Sequence, residues 1–212
     1  MSLLSLLFQQ PLVFFVLVAV FVMVLSVHEY AHALVGYWLG DSTAKRMGRL
    51  TLNPLSHIDP LGFVALLTVG FGWGKPVPFN PYNLKYPRWG PTFVALAGPF
   101  SNLLLGLICA LLFRFLLPSF GEQNLLIVFL LYAAYLNFAL MLFNLIPIPP
   151  LDGSKVLLSA LADPRYQAFR FFLETKGSLL LIGLIFLDAF GNVGIFSWLS
   201  AAAHGLFRLV AG

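Results

Sequence analysis

Long apolar runs are the feature that most limits what this chain can fold into. Residues 11–39, 91–117, 124–147 and 177–200 form runs of about 20 residues or more, the length that an α-helix needs to cross the hydrocarbon core of a bilayer. Only 9% of the residues are charged, whereas a soluble domain uses ~25% charged residues to cover its surface. We therefore predict an all-α polytopic membrane protein with four to six transmembrane helices.

The length of the chain allows one membrane domain over residues 1–212, with its core at 11–155 and C-terminal helices at 156–212. The first ten residues contain no Lys or Arg, and no small-residue cleavage site follows, so the first helix is expected to stay in the mature protein. The single cysteine, Cys109, excludes a disulfide framework within the chain. Basic residues are dispersed between the apolar runs, which argues against a nucleic-acid partner.

The distribution of basic residues predicts the orientation in the membrane. Ten of the twelve Lys and Arg residues fall between apolar runs in three regions, and these are Lys45, Arg46, Arg49, Lys75, Lys85, Arg88, Lys155, Arg165, Arg170 and Lys176. The positive-inside rule places all three regions in the cytoplasm and the N-terminus outside, provided that the short apolar run 61–72 does not cross. Twelve residues span only ~18 Å as a helix. We therefore predict a re-entrant segment there, followed by a proline-rich loop at 73–90.

Two histidines and a glutamate interrupt the first apolar run, in SVHEYAHALVGYWLG at residues 26–40. His28 and His32 are four residues apart, so they project from one face of a helix at a separation that suits a single zinc ion. Glu29 is placed to accept a proton from a water molecule that the metal makes acidic. A polar cluster without metal is the alternative, but ionisable groups at mid-membrane cost ~2.5–3.5 kcal/mol each and usually mark function.

A catalytic zinc needs a third protein ligand, and several acidic and histidine residues are candidates. His57 and Asp59 lie in SHIDP, where a turn or capping role is favoured. Asp188 is expected to pair with a polar group of a neighbouring helix or with backbone. Glu122 falls on the outer side of the predicted topology, and Glu174 lies in a charged cytoplasmic stretch.

Asp152 is the strongest candidate because of the sequence around it, NLIPIPPLDGSK. Pro147, Pro149 and Pro150 break the helix near its cytoplasmic end. Irregular backbone at membrane depth is tolerated where protein or water satisfies it, so a polar cavity is expected there, on the side reached by the end of the first helix. Asp152 also suits the N-cap of the following helix, a role that is compatible with metal binding.

Together these motifs resemble the site-2 protease family of intramembrane zinc metalloproteases, in the compact form without PDZ or CBS domains. The similarity covers residues 15–155 and includes AGPFSN at 97–102, which is similar to the family's A-G-P-x-x-N element. The matching residues of the other two motifs are His28, Glu29, His32, Asn144, Leu145, Pro147, Pro150, Leu151, Asp152 and Gly153.

The resemblance implies one Zn²⁺ per chain, held by His28, His32 and Asp152, with Glu29 as the general base. Two His and one carboxylate also suit other divalent metals.

Two asparagines carry further roles by the same resemblance. Asn144 matches a position that binds substrate or stabilises the oxyanion. Asn102 has an orienting role or makes a helix–helix hydrogen bond.

The expected function is hydrolysis of a peptide bond in or next to a transmembrane segment of a membrane protein. The partners are then that substrate and the lipid bilayer, and the location is the cell membrane with the active site toward the cytoplasm. The proline-rich segment offers an edge along which an extended substrate can bind. A metal transporter is the main alternative, because ionisable residues in membrane helices also mark ion pathways, but a transporter has no need of a glutamate that does not bind the metal. A catalytically inactive scaffold is a third possibility, and the presence of Glu29 disfavours it.

Overall fold

A computed structural model describes residues 3–70, 72–191 and 193–212, and these residues form helices joined by loops. The helices, in chain order, are α1 (Leu3–Gln9), α2 (Pro11–Trp38), α3 (Thr43–Arg46), α4 (Pro60–Val69), α5 (Gly90–Phe120), α6 (Leu125–Asn144), α7 (Gly153–Ala160), α8 (Gln167–Gly191) and α9 (Ser197–Ala211). Within the described ranges there is no β-strand, and the all-α prediction is confirmed for them.

Among the described residues, three helices, α2, α5 and α6, are long and apolar enough to cross a membrane. They correspond to the first three predicted spans, and local signals explain their ends. Pro11 begins α2, where its missing N–H would have no helical partner. The side chain of Asn124 accepts a hydrogen bond from Leu126 N and caps α6. The predicted total of four to six spans stays a prediction.

These three helices pack against one another and form the centre of the molecule. Their contact residues are small or apolar, and the buried ones are Val20, Val24, Cys109, Ala110, Leu130, Ala133, Ala134 and Phe138. Gly106 of α5 allows close approach, because a Cβ atom there would lie 2.8 Å from the ring of Phe138. Small residues at such positions let helix backbones approach in the absence of a hydrophobic driving force between them.

The chain reverses direction after α4, within the short apolar run predicted at 61–72. Gly70 has φ +79°, the left-handed conformation that ends a helix. The returning chain then lies so close to α4 that a Cβ on Gly62 would collide with the carbonyl group of Trp73. Gly74 finally pairs with Ile58 in an isolated antiparallel bridge. The segment therefore starts and ends at the same place in the fold.

The prediction of one continuous span at 177–200 was wrong. Helix α8 ends at Gly191, Gly194 has φ +71°, and α9 starts at Ser197. The apolar part of α8 from residue 177 onward is ~22 Å long, shorter than a bilayer core.

Helix α9, the last of the C-terminal helices predicted at 156–212, packs along α5 and α6. The Tyr135 hydroxyl is 2.9 Å from Ser200 Oγ, and the Phe113 and Phe207 rings are 5.2 Å apart.

Candidate active site

Three side chains from distant parts of the chain meet at one point. His28 Nε2 and His32 Nε2 are 3.0 Å apart, and Asp152 Oδ2 is 3.3 Å from the first and 3.4 Å from the second. Both histidines are more than nine-tenths buried. The three atoms form a nearly equilateral triangle, so the predicted set of metal ligands is assembled in the structure.

Helix α2 places the two imidazoles on one face, and α5 packs directly beneath them. His32 Nδ1 is 2.7 Å from the carbonyl oxygen of Val94, so its N–H donates there and Nε2 keeps its lone pair for a metal. Gly98 lies against both rings: a Cβ at this position would be 2.5 Å from His28 Cε1 and His32 Nε2. The absence of a side chain at Gly98 therefore makes room for the imidazole pair.

The loop after α6 carries Asp152 to the histidines. Asp152 occupies the N-cap position of α7, but its side chain makes no capping hydrogen bond and instead faces the imidazoles. The Ser154 hydroxyl donates to the Leu151 carbonyl oxygen at 2.6 Å and holds the turn. The Asp152 carboxylate therefore does not serve as a helix cap in the structure.

The donor set fits a zinc ion. Zinc–ligand bonds of ~2.0–2.1 Å in tetrahedral geometry separate neighbouring ligand atoms by ~3.3 Å, close to the triangle's edges. Two imidazole lone pairs directed at each other and at a carboxylate oxygen repel unless a cation or proton lies between them. These three residues form the group of His, Cys, Asp and Glu side chains within the described residues that could hold a metal ion.

Glu29 lies beside the triangle without being part of it. Its Oε2 accepts a hydrogen bond of 2.9 Å from the backbone N–H of Val77, and its side chain is largely buried. Val77, which lies 48 residues from Glu29 in the sequence, was not among the predicted site residues. The available signal was local: Pro76 and Pro78 favour an extended backbone and leave Val77 with the single N–H of that tripeptide.

The segment around Val77 is held in place by hydrogen bonds at both ends. Arg49 donates to the Lys75 carbonyl oxygen, and the Lys75 N–H donates to the His57 carbonyl oxygen at 2.8 Å. Further along, the Lys85 N–H donates to the Leu39 carbonyl oxygen at 2.8 Å. The proline-rich segment is therefore tied both to the end of α2 and to the chain before α4.

Asp41 makes the densest set of these contacts. It is 2% exposed, and it accepts hydrogen bonds from Asn80 N at 2.6 Å, Asn83 Nδ2 at 2.9 Å, and both the N–H and the hydroxyl of Thr43. Burial opposes ionisation, but these donors, Thr43 first among them, outweigh it and lower the pKa of the Asp41 carboxyl group. Nothing in the sequence pattern identified this residue.

A cavity of about 610 Å³ opens onto the triangle. Apart from the metal-binding groups and Glu29, its wall is mostly apolar and comes from α2, α5, α6, α8 and the proline-rich segment. Asn144 lines this cavity, and its amide donates a hydrogen bond to the Leu140 carbonyl oxygen at 3.1 Å. Asn102 does not line it: this side chain is fully buried in α5, and neither polar atom has a partner among the described residues.

The acidic and histidine residues that the sequence did not favour as the third metal ligand lie away from the triangle. Asp59 caps α4 by accepting from Gly62 N at 2.9 Å, and buried His57 is 2.7 Å from the Thr51 carbonyl oxygen. Asp188 accepts a hydrogen bond from a backbone N–H in the turn before α9, as expected for backbone pairing. The last two, Glu122 and Glu174, are exposed.

Comparison with known proteins identifies the family. Residues 119–187 match the family model described as peptidase family M50. The chain is 37% identical over 199 residues to the candidate zinc metalloprotease YwhC of Bacillus subtilis, covering 91% of this chain and 90% of that protein. It is 31% identical over 185 residues to the candidate zinc metalloprotease Rip2 of Mycolicibacterium smegmatis, covering 84% and 69%. No solved structure matches the chain significantly. The chain therefore belongs to peptidase family M50, the site-2 protease family.

Proposed function

We propose that this protein is an intramembrane zinc metalloendopeptidase that cuts a peptide bond in or next to a transmembrane segment of a membrane protein. The observation that carries the proposal is the triangle of two imidazoles and one carboxylate, with a glutamate beside it in the same cavity. Family membership supports the reaction class, and the apolar helices around the cavity support a substrate that comes from the membrane.

In this proposal His28, His32 and Asp152 hold the zinc ion and leave one position open. Zinc supplies Lewis acidity, which polarises a peptide carbonyl and lets water lose a proton near neutral pH. Glu29 takes that proton as the water oxygen bonds to the carbonyl carbon. Glu29 then returns the proton to the amine nitrogen as the C–N bond breaks, so the base is regenerated and no further reactant is consumed.

The two asparagines are proposed to act beside this machinery. Asn144 lines the cavity, so its amide is placed to contact substrate or the developing oxyanion once it leaves the Leu140 carbonyl. Asn102 lies one helical turn beyond Gly98, the residue against which both imidazoles pack. Its unpartnered polar atoms and the unpartnered, buried Nδ1 of His28 support an orienting role for Asn102, directly or through a buried water.

The proposed topology places the active site toward the cytoplasm of a multi-pass cell-membrane protein. Basic residues from separate regions lie at one end of the bundle: Arg49 contacts the Lys75 backbone, and the Lys155 carbonyl accepts from Thr92 near the start of α5. The positive-inside rule makes this end cytoplasmic. The reversal of the chain at Gly70 supports a re-entrant segment, because the chain returns from the end of α4 to its start, where Gly74 pairs with Ile58.

The substrate is proposed to bind as an extended strand along the proline-rich segment. The Val77 carbonyl and both backbone polar groups of Phe79 have no hydrogen-bond partner among the described residues. Both residues line the cavity that contains the triangle. A helical peptide bond is shielded by its own hydrogen bonds, so an edge that holds the substrate extended exposes the bond to attack.

The decisive experiment compares the protein with Glu29→Gln after reconstitution with a model transmembrane substrate. The expected result is one bound zinc in both forms and cleavage in the wild type alone. Glu122→Gln is the matched control, because it makes the same chemical change at an exposed position. Equal cleavage by the wild type and Glu29→Gln refutes the proposal, and zinc transport without cleavage assigns the site to a transporter instead.

A further inference from the structure

We propose that the backbone amide of Val77 is a positioning group for the catalytic base Glu29, so that the proline-rich segment contributes to chemistry as well as to substrate binding. The inference rests on the proposed function, because it assigns Glu29 the role of base. It adds a group that no motif contains: a main-chain N–H from the far side of the cavity.

The contact itself is well formed and specific. The N–H of Val77 donates to Glu29 Oε2 at 2.9 Å, within the usual range for such a bond, and Glu29 is 8% exposed. Neither Pro76 nor Pro78 has an N–H, so a slip of one residue along the segment leaves Glu29 without any donor. The two prolines therefore make Val77 the one residue of this tripeptide that can hold the base.

The donor is held firmly because the segment is anchored on either side of it. Two residues earlier, the Lys75 carbonyl accepts from Arg49 and the Lys75 N–H donates to His57. Three residues later, the N–H of Asn80 donates to Asp41. A glutamate side chain has three rotatable bonds, so a fixed hydrogen bond to one oxygen removes most of its alternative orientations.

The hydrogen bond also determines what the two carboxylate oxygens are free to do. Oε2 is engaged by Val77, while Oε1 has no partner among the described residues and is available to accept a proton. A carboxylate tethered in this way is kept from swinging onto the metal, where it would close the position that water needs. The amide thus favours the role of base over the role of fourth ligand.

The test replaces the Val77 amide with an ester by incorporating the α-hydroxy analogue of valine, which removes the N–H and keeps the side chain. We expect kcat to fall about 10- to 100-fold with KM changed by less than about threefold, since misplacing a reacting group by ~1 Å costs rates of this order. The matched control is the same replacement at Leu126, whose N–H donates to Asn124 Oδ1 at the start of α6, outside the cavity wall. This control is expected to keep wild-type kcat.

A second measurement does not depend on activity. In the zinc-free protein, hydrogen exchange of a peptide covering Pro76 to Pro78 reports the single amide of Val77. Glu29→Ala is expected to accelerate this exchange at least about tenfold, while Glu29→Gln keeps an acceptor oxygen and leaves it slow. The amide of Lys75, bonded to His57, serves as the internal control in both variants.

The outcomes separate the inference from the proposed function. Wild-type kcat or faster turnover in the Val77 ester, or exchange of Val77 that is insensitive to Glu29→Ala, overturns the inference. If Glu29→Gln still cleaves substrate, the proposed function itself fails. An inactive Glu29→Gln together with a fully active Val77 ester leaves the protease assignment standing and removes the amide from it.

Discussion

The two sides of the active-site cavity are held together in different ways. On one side, α2 fixes the distance between His28 and His32 through helical pitch, and tight packing on α5 fixes their rings. On the other side, the proline-rich segment is irregular except for the bridge at Gly74 and a single 3₁₀ turn at Pro81–Asn83, and individual hydrogen bonds across 26 to 48 residues hold it in place. After their proposed roles we call the first the metal-binding side and the second the substrate side. The metal-binding side should respond to loss of packing or of a ligand, and the substrate side to loss of a single hydrogen bond.

Loss of a metal ligand should have the largest effect, and this effect should be confined to the metal-binding side. His32→Ala removes one corner of the triangle, so zinc affinity is expected to fall more than about 100-fold, beyond the 10–100-fold usual for outer-shell changes. Metal analysis of the purified protein and cleavage of a transmembrane substrate measure it. A chelator should abolish wild-type cleavage and added zinc restore it.

His204→Ala is the control for that variant, because His204 is an exposed histidine on α9. It should keep both zinc and activity. Full zinc occupancy in His32→Ala would contradict the assigned ligand set.

The second-largest effect should come from a methyl group added next to the two imidazole rings. Gly98→Ala places a Cβ 2.5 Å from atoms of both rings, and the helix backbone leaves little freedom to move away. We expect zinc affinity to fall about 10–100-fold, as for other changes that disturb ligand orientation. Titration with a competing chelator measures it. Gly205→Ala on α9 adds a methyl group where nothing lies within 4 Å, and it should bind zinc normally.

The same contrast explains which parts of the site could be predicted from the sequence. The helical period and the prolines before Asp152 are local signals, and they were enough to predict the three residues that meet in the triangle. The contact between Glu29 and Val77 joins positions 48 residues apart, and no periodicity encodes such a bond. The apolar run at 177–200 misled for a related reason: hydropathy does not register the turn at Gly194, where Asp188 accepts a backbone hydrogen bond.

Removal of the charge at Asp41 should loosen the substrate side and leave the metal in place. Asp41→Asn replaces an acceptor of four hydrogen bonds by a side chain that cannot accept all of them, so we expect ~1–3 kcal/mol less stability at pH 7. Denaturant unfolding in detergent measures it. Asp163→Asn, at an exposed carboxylate, is the control.

The pH dependence of Asp41 follows from the direction of its shift. Its pKa is lower in the folded state than in the unfolded state, so its contribution to stability is present above the unfolded pKa of ~3.9 and is lost as the pH falls below that value. Wild type and Asp41→Asn should therefore converge in stability as the pH drops below ~4. A difference that stayed constant down to pH 3 would show that the carboxylate charge is not what stabilises the loop.

The smallest effect should come from loss of the N-cap of α4. This change tests whether the position of the substrate side also depends on α4. Asp59→Ala removes the hydrogen bond to Gly62 N and should lower stability by about 1 kcal/mol. Asn124→Ala removes an equivalent cap, from Leu126 N, at the start of α6 and far from the cavity. Because α4 packs against the chain that returns to Gly74, Asp59→Ala should also slow cleavage about two- to fivefold, as a slightly misplaced edge would. Equal cleavage rates in the two cap variants would mean that the hydrogen bonds of Arg49 and Asp41 hold the segment without help from α4.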